Sequence, residues 1–548
     1  MTRSPSRTSR LLAVAGLAAL AGSAGLTGMA AGATTAAPVR AVEPDLRELL
    51  AGKDGSVVPE VENSVDKMLV DSQLSAIHAA PAGRGVSARL AAGKQAAALP
   101  TAAGALTGTW KPAHDEFRAD DPQYGVASLG WLNLGGRTVS LATDPRDADG
   151  STVWAGAAGG GVWRSTDAGK TWTPTFDKQL SMAIGAIAIS PTTGWVYAGT
   201  GEANTNGDGL AGTGVYRTKD DGRTWERVAR NLEEASTVFH VAVTRAPGAS
   251  RDSVFVATNA GLYTSTDGGD SYANALLPTN EDGTAPYTKT RFGNYVTDVR
   301  VKPDDPNMIT AAVGWRRGKT VGADGNPDSV GNGLYRSTQG GRPGTWTRLE
   351  TNLGQAPLAP GLSDDPIGRT SLAYATGEGQ DPDVMWAVVQ DAGLFAGETF
   401  LGVGPLPAKP TVLAGVYASA DNGITWTLKA TPAQFAAAPG TVIAPLLALG
   451  SGPGVQAWYD QYVEVDPLDA NRVIIGLEEI YSTVGNPYLP GPAAFTTIGR
   501  YWNSCVAIAV NCEGVPVYEG KTTHADQHAA AFAPTPDGVR LYVSGDGG

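Results

Sequence analysis

Residues 160–172 constrain this chain more than any other stretch. They read Gly160-Gly161-Val162-Trp163-Arg164-Ser165-Thr166-Asp167-Ala168-Gly169-Lys170-Thr171-Trp172. Val162 and Trp163 favour a strand. Asp167 and Gly169 favour a tight turn, because Asp bonds neighbouring backbone N–H groups and Gly takes positive φ without strain. Thr171 and Trp172 open a second strand, the Trp serving as an apolar anchor. The pattern returns at 215–225, 262–272 and 416–426. A degenerate copy at 334–346 has Gln339 at the Asp position and an insertion before Thr345-Trp346. The turn positions 167, 220, 267, 339 and 421 are 53, 47, 72 and 82 residues apart. A period near 50 residues is the mark of a propeller or a solenoid array.

Two strands precede these hairpins. Thr138–Thr143 leads through Asp144-Pro145 to Thr152–Gly156, and Ile184–Ile189 leads through Ser190-Pro191 to Trp195–Gly199. The same grammar runs through 239–257 and 296–312. Four strands per unit, repeated radially, make a β-propeller blade. A sixth unit starts at Tyr462 and a seventh at His528, and the sequence stops at Gly548, where other units enter their hairpin. The expectation is an all-β, seven-bladed propeller of four-stranded blades over 106–548, truncated in its last blade or closed by a strand from elsewhere.

Arg3, Arg7 and Arg10 precede the apolar run Leu11–Leu20 and then small residues through Ala33. This predicts a secretory signal over 1–33 and a secreted, extracellular protein without stable membrane insertion. Residues 34–105 are Ala- and Gly-rich and read as a partly disordered leader or pro-segment. In an exported chain Cys505 and Cys512 predict a local disulfide. The formal charge of −13 argues against nucleic-acid partners. There is no glycine fingerprint for a nucleotide in a strand–helix setting, so no organic cofactor is expected.

The repeats resemble the Asp-box (bacterial neuraminidase-type) superfamily, and most of all secreted bacterial proteins labelled glycosyl hydrolase, with sortilin-like and xyloglucanase-like propellers. The resemblance covers about 135–548. It specifies a fold better than a function, because the box lies on the outer rim. The Arg-Ile-Pro stretch of sialidases is absent. Xyloglucanases carry two facing carboxylates, each in an Asp-x-Gly-Gly context. Gly545-Asp546-Gly547-Gly548 matches the second, whereas Ala158 stands where the first has its Asp. The resemblance thus implies Asp546 as one catalytic carboxylate and leaves its partner open.

Glu202, in the loop after the second blade's Val196–Thr200 segment, is the best partner, because inner strand ends line a propeller's channel. Asn204 and Asp208 in that loop are candidate ligands for a sugar or a structural calcium. His524-Ala525-Asp526-Gln527-His528 holds two of the five histidines. On a strand, 524, 526 and 528 share a face and could bind a metal, touch substrate or lock the blade. Glu478 and Glu479 follow a strand of the sixth unit, one facing the channel, and Asp391 sits similarly in the fifth. Trp315 and Trp458 are candidate sugar platforms or core residues. Two functions fit: a hydrolase acting on, or a protein binding, extracellular polysaccharide; and a non-catalytic, sortilin-like propeller holding a peptide or glycan.

Overall fold

A computed structural model describes residues 90–95, 98, 135–203, 210–228, 232, 237–277, 295–314, 331–354, 367–392, 411–443, 452–500, 523–524 and 526–547. All fall within one compact unit, 62–505 with 516–548. Asp208, Trp315, Cys505 and Cys512 lie outside the described residues, as do the leader's 34–89 and the signal segment.

Six four-stranded antiparallel sheets follow one another along the chain, five with a copy of the hairpin. Blades 1 to 6 span 138–174, 184–227, 238–276, 296–348, 367–430 and 462–499. The seventh sheet has two strands, Gln527–Thr535 and Gly538–Gly545. The expectation of seven blades, the last one truncated, is therefore corrected to six four-stranded blades, because the last sheet carries only its first hairpin among the described residues. The ring still closes. The first strand of each blade lies beside that of the next, and Gln527–Thr535 touches the first strands of both blade 6 and blade 1. Thr143 Oγ1 donates to Phe532 O at 2.8 Å, and Tyr542 OH donates to Gly150 O at 2.8 Å across this seam.

The core sits between blades. Trp154, Phe176, Ile184 and Tyr216 fill the first interface, and Trp386, Val463, Ile475 and Tyr481 the fifth. Such strands are buried on both faces, which explains runs like Val196-Tyr197-Ala198-Gly199-Thr200, buried at every position. Each hairpin turn puts two successive residues at positive φ, as at Ala168 and Gly169 (64° and 83°), the second of them always glycine, which takes that conformation without strain. The aspartate fastens it: Thr171 N and Oγ1 donate to Asp167 at 2.9 and 2.6 Å, and Ser165 Oγ donates to Asp167 at 2.8 Å. The turn then rests on the preceding blade; a Cβ on Gly222 would meet Trp154 and Thr175. Trp426 is accordingly buried at 3% exposure, while Trp172 stays 38% exposed, since the sheet beside it has only two strands. Among the described residues no helix is long and apolar enough to cross a membrane.

Candidate functional site

Seven first strands enter the channel from one end, and the residues just before them form its mouth. Arg137 precedes Thr138–Thr143, Tyr459 and Asp460 precede Tyr462–Val465, and Asp526 precedes Gln527–Thr535. Local backbone explains these placements. Ala158 N donates to Arg137 O at 2.9 Å, fixing the strand start. Tyr459 and Asp460 sit in a turn, both N–H groups donating to Gln456 O. Asp526 has φ 62°, a left-handed conformation that a short polar side chain tolerates.

A continuous network joins blades far apart in sequence. Arg137 Nη2 donates to Glu202 Oε2 at 2.9 Å, and its Nε lies 2.7 Å from Oε1. Arg137 Nη1 donates to Tyr459 OH at 3.2 Å. Tyr459 OH donates to Asp546 Oδ1 at 2.6 Å, and His528 Nε2 lies 2.6 Å from the same oxygen. The two carboxylates singled out from sequence, Asp546 and Glu202, therefore flank one arginine and one phenol. Glu202 is nonetheless held in a two-pronged ion pair with its side chain only 1% exposed, whereas the Asp546 side chain is 23% exposed.

The other acids of the cluster are in a different electrostatic state. Burial alone would raise Asp546, but the hydrogen bonds from His528 and Tyr459 and the charge of Arg137 outweigh it and hold the carboxyl below its ordinary value. His528 is pushed down by burial, so it is neutral and donates its Nε2 hydrogen. Asp526 is pushed well above the carboxylate range, by burial first and then by the charges of Asp546 and Glu478. It accepts from Gln456 Nε2 at 3.0 Å, and Asp546 N donates to Asp526 O at 3.2 Å. Asp460 is fully buried, neither oxygen having a hydrogen-bond partner among the described residues. Burial, then Glu478, Asp526 and Asp546, push it well up. Glu478 accepts from Gly454 N and Gln456 N at 2.8 and 2.9 Å and is pushed by burial up to about 7.

The His-x-Asp-x-His stretch does not lie on one strand face, because the strand begins only at Gln527. His528 and Asp526 still reach Asp546, by a side chain and through the backbone respectively. His524 is half-buried, its ring where a Cβ on Gly547 would fall. Among the described residues no three His, Cys, Asp or Glu side chains are placed to hold a metal ion. Glu479 faces away into blade 6, accepting from Thr441 Oγ1 at 2.6 Å, and Asp391 is fully buried. Trp458 is 3% exposed and belongs to the core. Arg137, Tyr459, Asp460 and Gln456 were missed from sequence. Their signal is position alone: each lies a few residues before a channel-lining strand, a place that takes on meaning once the ring is closed.

No family model and no curated protein matches this sequence. Solved structures do. An ancestral GH74 enzyme matches at 18% identity and a TM-score of 0.45, covering 75% of this chain and 44% of that one. The GH74 xyloglucanase from Xanthomonas campestris matches at 19% identity and 0.37, covering 66% and 55%. YCF48 from Cyanidioschyzon merolae matches at 13% identity and 0.41, covering 76% and 95%. The chain spans about half the length of these GH74 enzymes. At such identities the likeness is one of chain path, and the chemistry of the mouth rests on this chain's own side chains.

Proposed function

We propose that the channel mouth cleaves glycosidic bonds in an extracellular polysaccharide, with Asp526 as general acid and Asp546 as general base. One observation carries this reading: two neighbouring carboxyls whose surroundings push their proton affinities apart, Asp526 up and Asp546 down. Glycoside hydrolysis needs one protonated and one ionised carboxyl, and divergent environments are how such roles are assigned. Glu202, first taken as Asp546's partner, serves instead to hold Arg137, and through it Tyr459, against the base. His528 fixes the Asp546 carboxylate by its Nε2 hydrogen. In this proposal the chain is exported by its 1–33 signal and needs no organic cofactor.

The test is reducing-sugar release from a panel of plant and microbial polysaccharides by the wild type and by Asp546→Asn. A loss of about 10²–10⁴-fold in the variant is expected. No release by the wild type from any polysaccharide would sink the hydrolytic reading. It would leave a second one, a propeller that binds a glycan or peptide uncleaved. Ala158 favours that alternative, since it brings no carboxyl to the mouth from blade 1.

A further inference from the structure

One step further along the same inner strands lies a cavity of about 110 Å³. All seven sheets contribute to its wall, among them Ser140, Ala186, His240, Arg300, Arg369 and Gln461. None of the mouth carboxyls Asp526, Asp546 or Glu202 is among its lining residues. It is polar and ringed by strands; His528, which holds Asp546 at the mouth, also reaches its wall, while the proposed acid and base do not.

Arg369 is nine-tenths buried, and its Nη1 donates to Trp458 O and Tyr459 O at 3.0 and 2.6 Å. Its Nε and Nη2 have no acceptor, and no carboxylate lies within ion-pair distance, among the described residues. Asp460 and Asp298 act on this guanidinium through space, and Asp298 and Glu464 also line the cavity, but none of them is hydrogen-bonded to it among the described residues, whereas buried charges are ordinarily paired directly. Arg300 spends Nε on Asp298 at 3.0 Å and Nη1 on Glu464 at 3.4 Å, leaving Nη2 without an acceptor among the described residues. Asp298 is already satisfied, accepting also from Val299 N and Leu372 N at 2.7 Å each. His240 Nδ1 is engaged at Val299 O and beside Asp298, while its Nε2 has no partner among the described residues. Gln461 adds the opposite polarity. It is 1% exposed, Nε2 donates to Arg369 O at 3.0 Å, and Oε1 has no donor among the described residues.

We infer that this cavity binds one protonated oxyanion, hydrogenphosphate, with Arg369 and Arg300 supplying N–H donors and Gln461 Oε1 accepting the anion's own hydrogen. Guanidinium groups match tetrahedral oxyanions in geometry and charge. A cavity of this size holds several waters and so admits a tetrahedral oxyanion. The unpaired Gln461 acceptor sets the selectivity. Hydrogenphosphate satisfies it, whereas sulfate, which carries no proton, leaves it unpaired and faces it with a second acceptor. This goes beyond the reading of the mouth, because neither Asp526 nor Asp546 takes part.

Isothermal titration calorimetry on the full chain tests it, with inorganic phosphate, sulfate and glucose 6-phosphate as separate titrants. Phosphate is expected to bind one to one, with sulfate weaker by about tenfold or more. Glucose 6-phosphate distinguishes a free anion from a phosphomonoester; above neutral pH its dianion carries no hydrogen for Gln461 Oε1 and is expected to bind as weakly as sulfate. Arg369→Met should abolish the phosphate heat, and Gln461→Glu, the same shape with added negative charge, should do the same. If Arg369→Met does not fold, Gln461→Glu decides. No phosphate heat, equal affinity for sulfate, or unchanged binding in Gln461→Glu would each overturn the assignment.

Discussion

Aspartates do two kinds of work in this propeller, and the contrast lies in how far their hydrogen bonds reach. At the rim, Asp267 accepts from Ser265 Oγ, Ser271 N and Ser271 Oγ, all within four residues. At the mouth, Asp546 accepts from Tyr459, 87 residues away, and from His528 on the paired strand. The rim carboxyl is held low: burial raises it, and the hydroxyl and N–H groups of Ser271 and Ser265 more than reverse this. At the mouth burial wins for Asp460, Asp526 and Glu478 and loses only at Asp546. Local hydrogen bonds make a carboxylate a turn fastener. Long-range contacts in a crowded acidic mouth divide carboxyls into proton holders and proton acceptors.

The comparison breaks most severely at Arg137. Arg137→Met would take from the buried Glu202 carboxylate its two-pronged ion pair, at a cost of about 3–5 kcal/mol in chemical denaturation. A loss near that of a rim substitution would mean that Glu202 reaches solvent and the mouth is not a closed network.

The pH dependence of stability has opposite signs in the two regions. Folded Glu478 keeps its proton up to about 7, against an ordinary 4.5, so its stabilising contribution is complete below pH 4.5 and is lost as pH rises through 7. The effect is on the order of 3 kcal/mol. Asp460 and Asp526 act in the same direction. The rim aspartates, lowered in the fold, contribute above their ordinary 3.8 and lose that contribution as pH falls. Denaturant midpoints from pH 4 to 8 should decline for the wild type and decline less for Glu478→Gln. A flat profile in both would show that the Glu478 carboxyl is solvated.

Smaller effects belong to the rim. Asp267→Ala removes three local hydrogen bonds at a half-exposed turn, a loss of about 1 kcal/mol. The degenerate hairpin supplies the control. There Ser337 Oγ bonds Thr345 Oγ1 at 2.7 Å, and the insertion places Thr345 beyond the four-residue reach that Asp267 uses. Gln339→Asp should therefore shift the midpoint by less than about 0.5 kcal/mol. A gain as large as the Asp267 loss would mean that the aspartate fastens the turn without its hydroxyl partner.

These differences in reach also decide what was legible in the sequence. The hairpin aspartates and the strand pairs before them are local patterns, so the sheets at 138–227 and 238–348 were readable residue by residue. The inner strand of blade 5, Ile367–Tyr374, went unread, as its Ile-Gly-Arg-Thr-Ser start has no alternation. Asp546, Asp526 and His528 were found as a motif. Their partners were not, because Arg137 and Tyr459 meet them only when the ring closes. The count of seven came from repeats of first strands, with the last blade expected to be incomplete, and the described residues hold six four-stranded blades and one two-stranded sheet.

The most direct measurement separates the two proposed roles by leaving group. A general acid matters most when the departing oxygen needs a proton, and little when it leaves as a stabilised anion. Cleavage of the preferred polysaccharide and of a dinitrophenyl glycoside of the same sugar should be measured for Asp526→Asn and Asp546→Asn. The predicted result is that Asp526→Asn loses the polysaccharide but keeps most of the dinitrophenyl substrate, while Asp546→Asn loses both. Equal losses on the two substrates in Asp526→Asn, or full activity in Asp546→Asn, would contradict the division of labour at the mouth.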